Sequence, residues 1–574
     1  MVLEQADPVQ TALAQLTAEG GPFEIVTEEV RGVPVRVFRQ RMRSFREVFA
    51  SGYNRTDETW IVHGGRRISF GEFNDLANSV SHSLLRDHAL RSGDRVAVLS
   101  ANNPEWCAAF WGTVNAGGVL VGINGWWKDD EVLYGLHDSG ARLLISDRAR
   151  FSRVADRMDE APNIEAVFLI DADPAEFGGG SKLHRFDELI ANPTKEIPDV
   201  PIDEDDVAVI FYTSATTGRP KGVTTTHRAW LASMQSVMAY LFATAMADPQ
   251  VAAMAAGPGV GLLTLPLFHV GGCQSNMLMG YAAGRRMVIP EGRVTPEQCM
   301  ELIQTEKVTD FGAVPTIIWR VCTHPERSSY DLSSVRAVSF GGAPPPIQLQ
   351  EMVREVFPNA QRPSQVWGLT ESSSMITLIA GEEFKARPAS TGKPLPTVEL
   401  KICDETGSEL PAGETGEIVV RGPMIVPGYW GKPEATAESF SADGWFRTGD
   451  VGRVDEEGFL YVTDRAKDII IRGGENISSV EIEQRLVQHP EINDAAVIGV
   501  PHPEYGEEVK AVVQVVAGSN LTQADVQQWA AEALANFKVP AHVEIRTEAL
   551  PRNAAGKLIK PALRGKESSF AETM

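Results

Sequence analysis

The sequence predicts an α/β fold, with a large N-terminal domain of mixed sheets and a β-rich subdomain, followed by a small α+β domain at the C-terminus. Strand-like and helix-like segments alternate over roughly the first two thirds of the chain, which is typical of a sheet covered by helices. Short strands separated by turns follow from about residue 395, and a compact pattern of helices and strands occupies residues 478–574.

In the first part of the chain, short apolar runs between polar turns predict buried strands at 95–100, 141–146 and 166–171. A helix is predicted to begin at Pro104, between the first two strands, because proline is favoured in a first helical turn. Residues 230–247 are uncharged but interrupted by serine, glutamine and threonine. We interpret this segment as a buried helix and not as a membrane span.

Two changes of pattern predict the later domains. Short strands at 398–403, 416–421 and 458–463 form the β-rich subdomain. The small domain is predicted to contain helices at 479–489 and 522–535 and strands at 495–500, 509–516 and 542–546. We place the boundary at Asp464–Lys467, so that residues 1–463 form the large domain, with an N-terminal extension over 1–45, and residues 464–574 form the small one.

Composition excludes several classes of protein. The chain has 53 basic and 76 acidic residues, a net charge of −23, which disfavours binding to nucleic acid. Its five cysteines are scattered without a CxxC pair, as in a reduced cytoplasmic protein without disulfides or a zinc site. The N-terminus lacks a basic leader and does not resemble a secretory signal. We therefore expect a cytoplasmic protein without an integral membrane segment, while peripheral membrane association and a homodimer stay open.

The most informative stretch is FYTSATTGRPKGV at 211–223, which follows an apolar run and is expected to precede a helix. Four hydroxyls in five residues, two glycines and Lys221 are clustered there. Hydroxyls and backbone amides can surround phosphate oxygens, and lysine adds positive charge. The spacing differs from that of a Walker loop. The stretch therefore predicts a phosphate-binding loop, with a Ser/Thr-rich turn as the alternative.

Further motifs follow this loop in order: LPLFHVG at 265–271, FGGAP at 340–344, QVWGLTE at 365–371, GWFRTGD at 444–450, TDRAKDII at 463–470 and PRNAAGK at 551–557. Together they resemble the adenylate-forming superfamily, which contains acyl-CoA synthetases, peptide-synthetase adenylation domains and firefly luciferases. Two positions depart from the family pattern. Ala215 replaces a glycine of the loop YTSGTTGxPKGV, and Trp367 replaces the tyrosine of YGxTE.

The resemblance implies a reaction in two halves. A carboxylate attacks the α-phosphate of ATP to give acyl-adenylate and pyrophosphate, and the thiol of coenzyme A then displaces AMP. The resemblance assigns Glu371 to Mg²⁺ and Thr370 to the α-phosphate. It assigns the following residues to the nucleotide: Thr213, Ser214, Thr216, Thr217, Gly218 and Lys221 to the phosphates; Gly341, Gly342, Ala343, Gln365, Trp367 and Gly368 to the adenine slot; and Asp450 and Arg465 to the ribose.

The resemblance also implies four catalytic residues. Lys557 would reach both the carboxylate and the α-phosphate, where Thr370 also lies, and His269 would line the same site. Lys467 would be a hinge about which a mobile small domain rotates. That rotation would remove Lys557 and bring Gly473 and Gly474 to the site, leaving room for coenzyme A.

The substrate is expected to be a small-molecule carboxylic acid with an apolar body. No acidic residue closely follows His269, and a buried ammonium group without a partner would be costly, so amino acids are disfavoured. The residues expected to line the pocket are Val270, Cys273, Val314, Ile317 and Ile318. A fatty acid is favoured, with aryl and steroid side-chain acids also open. The alternatives to a CoA ligase are transfer of the acyl group to a carrier protein or an amine, and a luciferase-like oxygenase.

Overall fold

The structure is a computed structural model that describes residues 7–213, 219–249, 251–252, 259–342, 345–360, 362–465, 468–472, 475–503, 505–553 and 557–564. For residues 465, 475 and 476 it describes the backbone alone.

Helices are labelled in chain order through the described residues. They are α1 (Pro8–Thr17), α2 (Phe45–Ser51), α3 (Phe70–Arg86), α4 (Pro104–Asn115), α5 (Asp129–Ser139), α6 (Arg148–Phe151), α7 (His227–Ala247), α8 (Met279–Ala282), α9 (Pro296–Glu306), α10 (Pro315–Cys322), α11 (Ile347–Val356), α12 (Gly381–Ala386), α13 (Pro433–Ser439), α14 (Ser479–Leu486), α15 (Gln523–Ala531) and α16 (Lys560–Leu563).

Strands are labelled in the same way. They are β1 (Ile25–Val30), β2 (Val33–Phe38), β3 (Thr59–His63), β4 (Arg66–Ser69), β5 (Arg95–Leu99), β6 (Val119–Gly122), β7 (Leu143–Asp147), β8 (Ala166–Ile170), β9 (Leu183–Arg185), β10 (Val207–Thr213), β11 (Lys221–Thr226), β12 (Val260–Leu262), β13 (Arg286–Val288), β14 (Asp310–Ala313), β15 (Ala337–Phe340), β16 (Ser364–Trp367), β17 (Thr377–Ala380), β18 (Lys393–Pro394), β19 (Glu399–Cys403), β20 (Gly416–Arg421), β21 (Gly428–Tyr429), β22 (Phe446–Val454), β23 (Leu460–Arg465), β24 (Ile470–Arg472), β25 (Glu475–Ile477), β26 (Ile492–His502), β27 (Gly506–Val515) and β28 (His542–Arg546).

These strands form four main sheets and a separate β1–β2 hairpin in the described part of the chain. Sheet I has the order β21-β11-β10-β6-β5-β7-β8-β9, and sheet II has the order β18-β17-β16-β15-β14-β12-β13-β3-β4. Sheet III is the antiparallel meander β19-β20-β22-β23. Sheet IV runs β25-β24-β27-β26, with β28 also paired to β27. The α/β class, the β-rich subdomain and the α+β pattern at the C-terminus are confirmed.

Local sequence explains the predicted elements that form. Helix α4 begins at Pro104, and the side chain of its N-cap Asn103 accepts a hydrogen bond from the amide of Trp106 at 2.7 Å. Strands β5, β7 and β8 are parallel neighbours in sheet I and are almost wholly buried. Burial on both faces explains their nearly continuous apolar sequences.

The expectation of a helix directly after the phosphate loop is wrong. The loop joins two antiparallel strands, with Phe211 of β10 opposite Val223 of β11, and α7 begins only at His227. The physical reason is the run from Val223 to Thr226, whose β-branched residues favour a strand. Thr226 then caps α7 by accepting a hydrogen bond from the amide of Ala229 at 3.1 Å.

Helix α7 is the predicted buried helix, and its first half is almost wholly buried. Its second half exposes Leu241, Phe242 and Met246. Helix α1 of the N-terminal extension packs on α7, where Leu13 and Leu16 join the same apolar cluster as Tyr240. In the described part of the chain we find no helix with the length and apolarity to cross a membrane.

The last strand of sheet III connects that sheet to sheet IV. Asp464 lies on β23, and its buried carboxylate accepts hydrogen bonds from the amide and hydroxyl of Ser479, at 2.7 and 2.6 Å. Ser479 is the first residue of α14, so this carboxylate also offsets the positive end of the helix dipole. Lys560 donates to the Ser479 hydroxyl at 2.5 Å and pairs with Glu483 at 2.8 Å.

Candidate active site

A cavity of about 1420 Å³ lies between one face of sheet II and helix α7. Thr213, Lys221 and Glu371 line one end of it, and His269 and Lys557 lie on its wall. These residues come from widely separated parts of the sequence and were predicted for one site. The structure therefore brings the phosphate loop, the second motif and the C-terminal lysine to the same cavity.

At the phosphate-loop end, a tyrosine contacts both a lysine and a glutamate. Lys221 Nζ lies 4.7 Å from the centre of the Tyr429 ring, and the Tyr429 hydroxyl donates a hydrogen bond to Glu371 Oε1 at 3.0 Å. Burial and the neighbouring Glu371 carboxylate raise the pKa of Tyr429 well above its ordinary value, so the phenol stays protonated. Thr213, at the start of the loop, donates to the backbone carbonyl of Lys221 at 3.4 Å.

Glu371 and Thr370 lie in a short 3₁₀ turn, Thr370–Ser372, which is separated from Gly368 by Leu369. The backbone packs so closely there that a Cβ on Gly368 would overlap the carbonyl oxygen of Ser374. Glycine is therefore required for this turn. Glu371 is 9% exposed, and both Thr370 and Glu371 reach the cavity.

His269 is held as a neutral imidazole beside Lys557. Its Nδ1 accepts a hydrogen bond from the amide of Gly271 at 3.2 Å, so the ring proton lies on Nε2. Burial and the positive charge of Lys557 lower the pKa of His269 to about 4. Lys557 is positioned by a loop in which its amide donates to the Asn553 side chain at 2.9 Å. The site thus presents a neutral imidazole donor and an ammonium group together.

The second motif continues into a π-helix, Gly271–Leu278, which is a form often found at functional sites. A Cβ on Gly272 would lie 2.8 Å from the carbonyl oxygen of Leu265, so glycine is needed where this helix meets the preceding turn. Val270 and Val314 line the cavity as expected. Cys273 and Ile318 do not, because they are buried in apolar clusters on either side of it, and Ile317 packs against the cluster of Ile318 instead of lining the cavity.

The predicted adenine and ribose residues divide into two groups. Gly341, Gly342 and Gly368 line the cavity. Trp367 and Asp450 do not line it, and the indole Nε1 of Trp367 donates a hydrogen bond to Asp450 Oδ2 at 2.9 Å. Gln365 is only 2% exposed and does not line the cavity, since its neighbours Ser364 and Val366 occupy the cavity face of β16.

Other predicted residues lie outside the described residues and are not placed. They are Ser214, Thr216, Thr217 and Gly218 of the phosphate loop, Ala343, the hinge residue Lys467, and Gly473 with Gly474. For Arg465 only the backbone is described, and it pairs with Asp450 between β22 and β23.

Tyr429 is a site residue that the sequence analysis missed. It belongs to β21, which is hydrogen-bonded to β11 next to the phosphate loop, with Val223 opposite Tyr429. It is followed by Trp430 and lies in no motif that the sequence analysis used. The contact between Tyr429 and Lys221, which lie more than two hundred positions apart, depends on the pairing of β21 with β11. No local signal in this one sequence could have found it.

The side chains present fit a magnesium ion only together with a bound phosphate. We find no group of three His, Cys, Asp or Glu side chains that could hold a metal in the described ranges. Glu371 offers one carboxylate, which shares the cavity with Lys221 and is linked to it through Tyr429. Magnesium commonly takes one or two carboxylates and completes its shell with phosphate oxygens and water, which matches this arrangement.

Comparisons with known proteins agree with this fold and cavity. A sequence model described as "AMP-binding enzyme" matches residues 48–430, and one for the C-terminal domain of the same enzymes matches residues 481–557. The chain is 34% identical to a feruloyl-CoA synthase of Amycolatopsis over 510 residues, which cover 88% of this chain and 95% of the relative. It is 32% identical to a long-chain-fatty-acid–CoA ligase of Bacillus subtilis over 536 residues, which cover 89% and 92%.

Among solved structures, the chain is similar to an anthranilate CoA ligase in complex with anthranoyl-AMP. The TM-score is 0.80 at 26% identity, and the match covers 91% of this chain and 96% of that one. The fold, the cavity and these matches define the class of enzyme. The chain belongs to the AMP-binding enzyme family, and it is a ligase.

Proposed function

We propose that this protein is an AMP-forming carboxylate–CoA ligase that acts on an acid with an apolar body. It would use ATP and Mg²⁺ to make an acyl-adenylate and would pass the acyl group to coenzyme A. One observation carries the proposal: Lys557 and His269 share a cavity with Lys221 and Glu371. The names of the similar ligases, which include an aryl-acid and a fatty-acid enzyme, support the same reaction.

The charges of the cavity suit the adenylation half-reaction. A carboxylate and the α-phosphate repel each other, so their approach needs positive charge and hydrogen-bond donors aimed at both. We assign Lys221 and the phosphate loop to the outer phosphates, and Lys557 with the Nε2–H of His269 to the reacting oxygens. Magnesium held by Glu371 would offset charge on the phosphates. Tyr429 would fix the Glu371 carboxylate through its hydroxyl hydrogen bond.

We assign Gly341 and Gly342 to the adenine slot, and Asp450, oriented by Trp367, to the ribose hydroxyls. The thioester half-reaction would follow rotation of residues 464–574 about Lys467.

The test is mass spectrometry of the products made by the purified full-length protein. It would be incubated with ATP, Mg²⁺ and aryl and fatty acids, with and without coenzyme A. We expect AMP, pyrophosphate and new acyl-CoA masses. Lys221→Ala should abolish pyrophosphate release, and Lys195→Ala, at an exposed position away from the cavity, should not.

Two results would contradict the proposal. Acyl-adenylate that accumulates and ignores coenzyme A would indicate a carrier protein or an amine as the acceptor. Absence of pyrophosphate release with every acid would overturn adenylation itself.

A further inference from the structure

One end of the cavity differs chemically from the part that Lys557 lines. It lies at the starts of strands β14, β15 and β16, where Asp310, Ala337 and Ser364 face the cavity. Gly341 of the proposed adenine slot is four residues beyond Ala337, which corresponds to about 13 Å along an extended strand. An acid that reaches this end must therefore be elongated.

The stem of Arg285 packs over Gly259 and Gly261 at strand β12, and Gly280 of α8 lies at its base. A Cβ on Gly259 would lie 3.0 Å from Arg285 Cγ, and a Cβ on Gly261 would lie 3.4 Å from Arg285 Cδ. A Cβ on Gly280 would lie 4.0 Å from Arg285 Cβ. The missing side chains leave a groove on the cavity face of β12 that the arginine stem fills. A larger residue at Gly259 would press on the stem, whereas the spacings at Gly261 and Gly280 are ordinary van der Waals contacts.

The guanidinium of Arg285 has donors left for a ligand. Within the described residues its ion-pair partner is Asp310, with Nη1 and Oδ1 3.5 Å apart. That separation is longer than a normal hydrogen bond, and a guanidinium carries five N–H donors. Asp310 is also engaged by Thr309, whose hydroxyl donates to Oδ2 at 2.6 Å. The Arg285 side chain is 38% exposed and borders the cavity.

The charge and polarity of the surrounding walls favour a negatively charged ligand group. Arginines 285, 286, 336 and 362 line this end, where Asp310 is the acidic residue among the described lining residues. Arg362 is paired with Asp248 at 2.7 Å and Arg286 donates to the carbonyl of Glu306 at 2.9 Å, so Arg285 is the arginine whose ion pair is long. Ser339 and Ser364 are hydrogen-bonded to each other at 2.8 Å on the same sheet face. The facing wall is apolar and is formed by Leu241, Phe242 and Ala245 of α7.

From these observations we propose that the acid substrate carries a second carboxylate at its far end and that Arg285 binds it. The apolar body would lie along α7 and the distal carboxylate would meet the arginine. This inference rests on the proposed ligase function and adds the substrate class: an elongated dicarboxylic acid. Arg285 would determine specificity without touching the reacting atoms.

The experiment compares dodecanedioic, ω-hydroxydodecanoic and dodecanoic acids as substrates of the full-length enzyme, with pyrophosphate release and acyl-CoA formation as readouts. We expect the highest kcat/KM for the dicarboxylic acid. Arg285→Met keeps the stem in the glycine groove and removes the charge. It should lower kcat/KM for dodecanedioic acid about tenfold or more, as expected for a charge-assisted hydrogen bond, and leave dodecanoic acid within about twofold.

Arg285→Lys keeps a positive charge and should restore part of the preference, while Arg354→Met, at an exposed position on α11, should leave it unchanged. A wild-type enzyme that prefers dodecanoic acid would overturn the inference while leaving the ligase reaction intact. An equal loss of kcat/KM for dodecanedioic and dodecanoic acids in Arg285→Met would also overturn the inference. Failure of all acids would instead contradict the proposed function.

Discussion

At the residue scale, the hydrogen bond between Trp367 and Asp450 is the clearest consequence of a departure from the family pattern. The indole N–H occupies one carboxylate oxygen of Asp450 at 2.9 Å, and Asp450 is 6% exposed. A different hydrogen-bond donor at position 367 would hold the Asp450 carboxylate in a different orientation. Trp367 is therefore a positioning residue for the proposed ribose site.

We predict that Trp367→Phe raises the KM for ATP roughly tenfold, because it removes a hydrogen bond to a charged group. The KM for the acid should stay near the wild-type value, which a general loss of structure would not allow. Trp367→Tyr, which restores the family's residue, should recover part of the affinity for ATP. Steady-state kinetics at varied ATP would check this, and an unchanged KM for ATP in Trp367→Phe would contradict it.

Tyr429 shows how the residue scale depends on distant parts of the chain. Its hydroxyl reaches Glu371 and its ring lies under Lys221, so it links the proposed metal ligand to the proposed phosphate ligand. Each partner was predictable from a motif. The tyrosine between them was not, because it enters through the edge strand β21.

At the element scale, helix α7 shapes both the core and the cavity. Its first residue, His227, is 2% exposed, and its Nδ1 accepts a hydrogen bond from the amide of Phe45 at 3.2 Å. The imidazole ring also packs edge-on against Phe45, with ring centres 4.6 Å apart. This contact attaches α2 to the start of α7.

Burial, together with the positive charge of Arg46, lowers the pKa of His227 from 6.5 to about 3. Between these two pH values the unfolded chain binds a proton that the folded protein does not, so stability falls as the pH is lowered. The contribution approaches about 1.4 kcal/mol for each pH unit below the unfolded pKa.

We therefore predict that the free energy of unfolding falls more steeply between pH 7 and pH 5 in the wild type than in His227→Gln. Glutamine retains an acceptor for the Phe45 amide but does not titrate. Denaturant unfolding at several pH values would measure both slopes. The other histidines contribute equally to both proteins, so equal slopes would show that His227 is not the group responsible.

At the scale of the whole molecule, the arrangement of the C-terminal segment brings Lys557 to the cavity. The charge of this lysine already acts on His269, whose pKa it helps to lower. We interpret the arrangement as the one that serves adenylation. Arg472 and Glu508, paired at 2.6 Å, lie on sheet IV, which would turn toward the cavity in the second half-reaction.

We predict that Lys557→Ala abolishes acyl-adenylate formation but spares thioester formation from supplied acyl-adenylate and coenzyme A. The reason is that Lys557 would leave the site before the thiol enters. The two half-reactions can be measured separately, as pyrophosphate release and as acyl-CoA formation, with Lys195→Ala as the matched control. An equal loss of both half-reactions would contradict rotation about Lys467.

Many of the strands, helices and site residues were predictable because short stretches of the sequence determine them. Apolar runs gave the buried strands β5, β7 and β8, and Asn103 with Pro104 gave the start of α4. The motifs predicted the site residues Lys221, His269, Glu371 and Lys557, which share one cavity. The strand after the phosphate loop was missed although the β-branched residues 223–226 favour it locally, because the loop was expected to lead into a helix and its pairing with β10 and β21 is not visible in the sequence.

The sequence by itself determined the fold class, the family resemblance and the residue types available for carboxylate activation, since these follow from local periodicity and from ordered motifs. Tertiary structure decided which side chains contact one another. It brought Tyr429 to Glu371, Trp367 to Asp450 and Arg285 into its glycine groove. Such contacts depend on strand order and on close backbone approach, and neither is encoded in the spacing of residues along the chain.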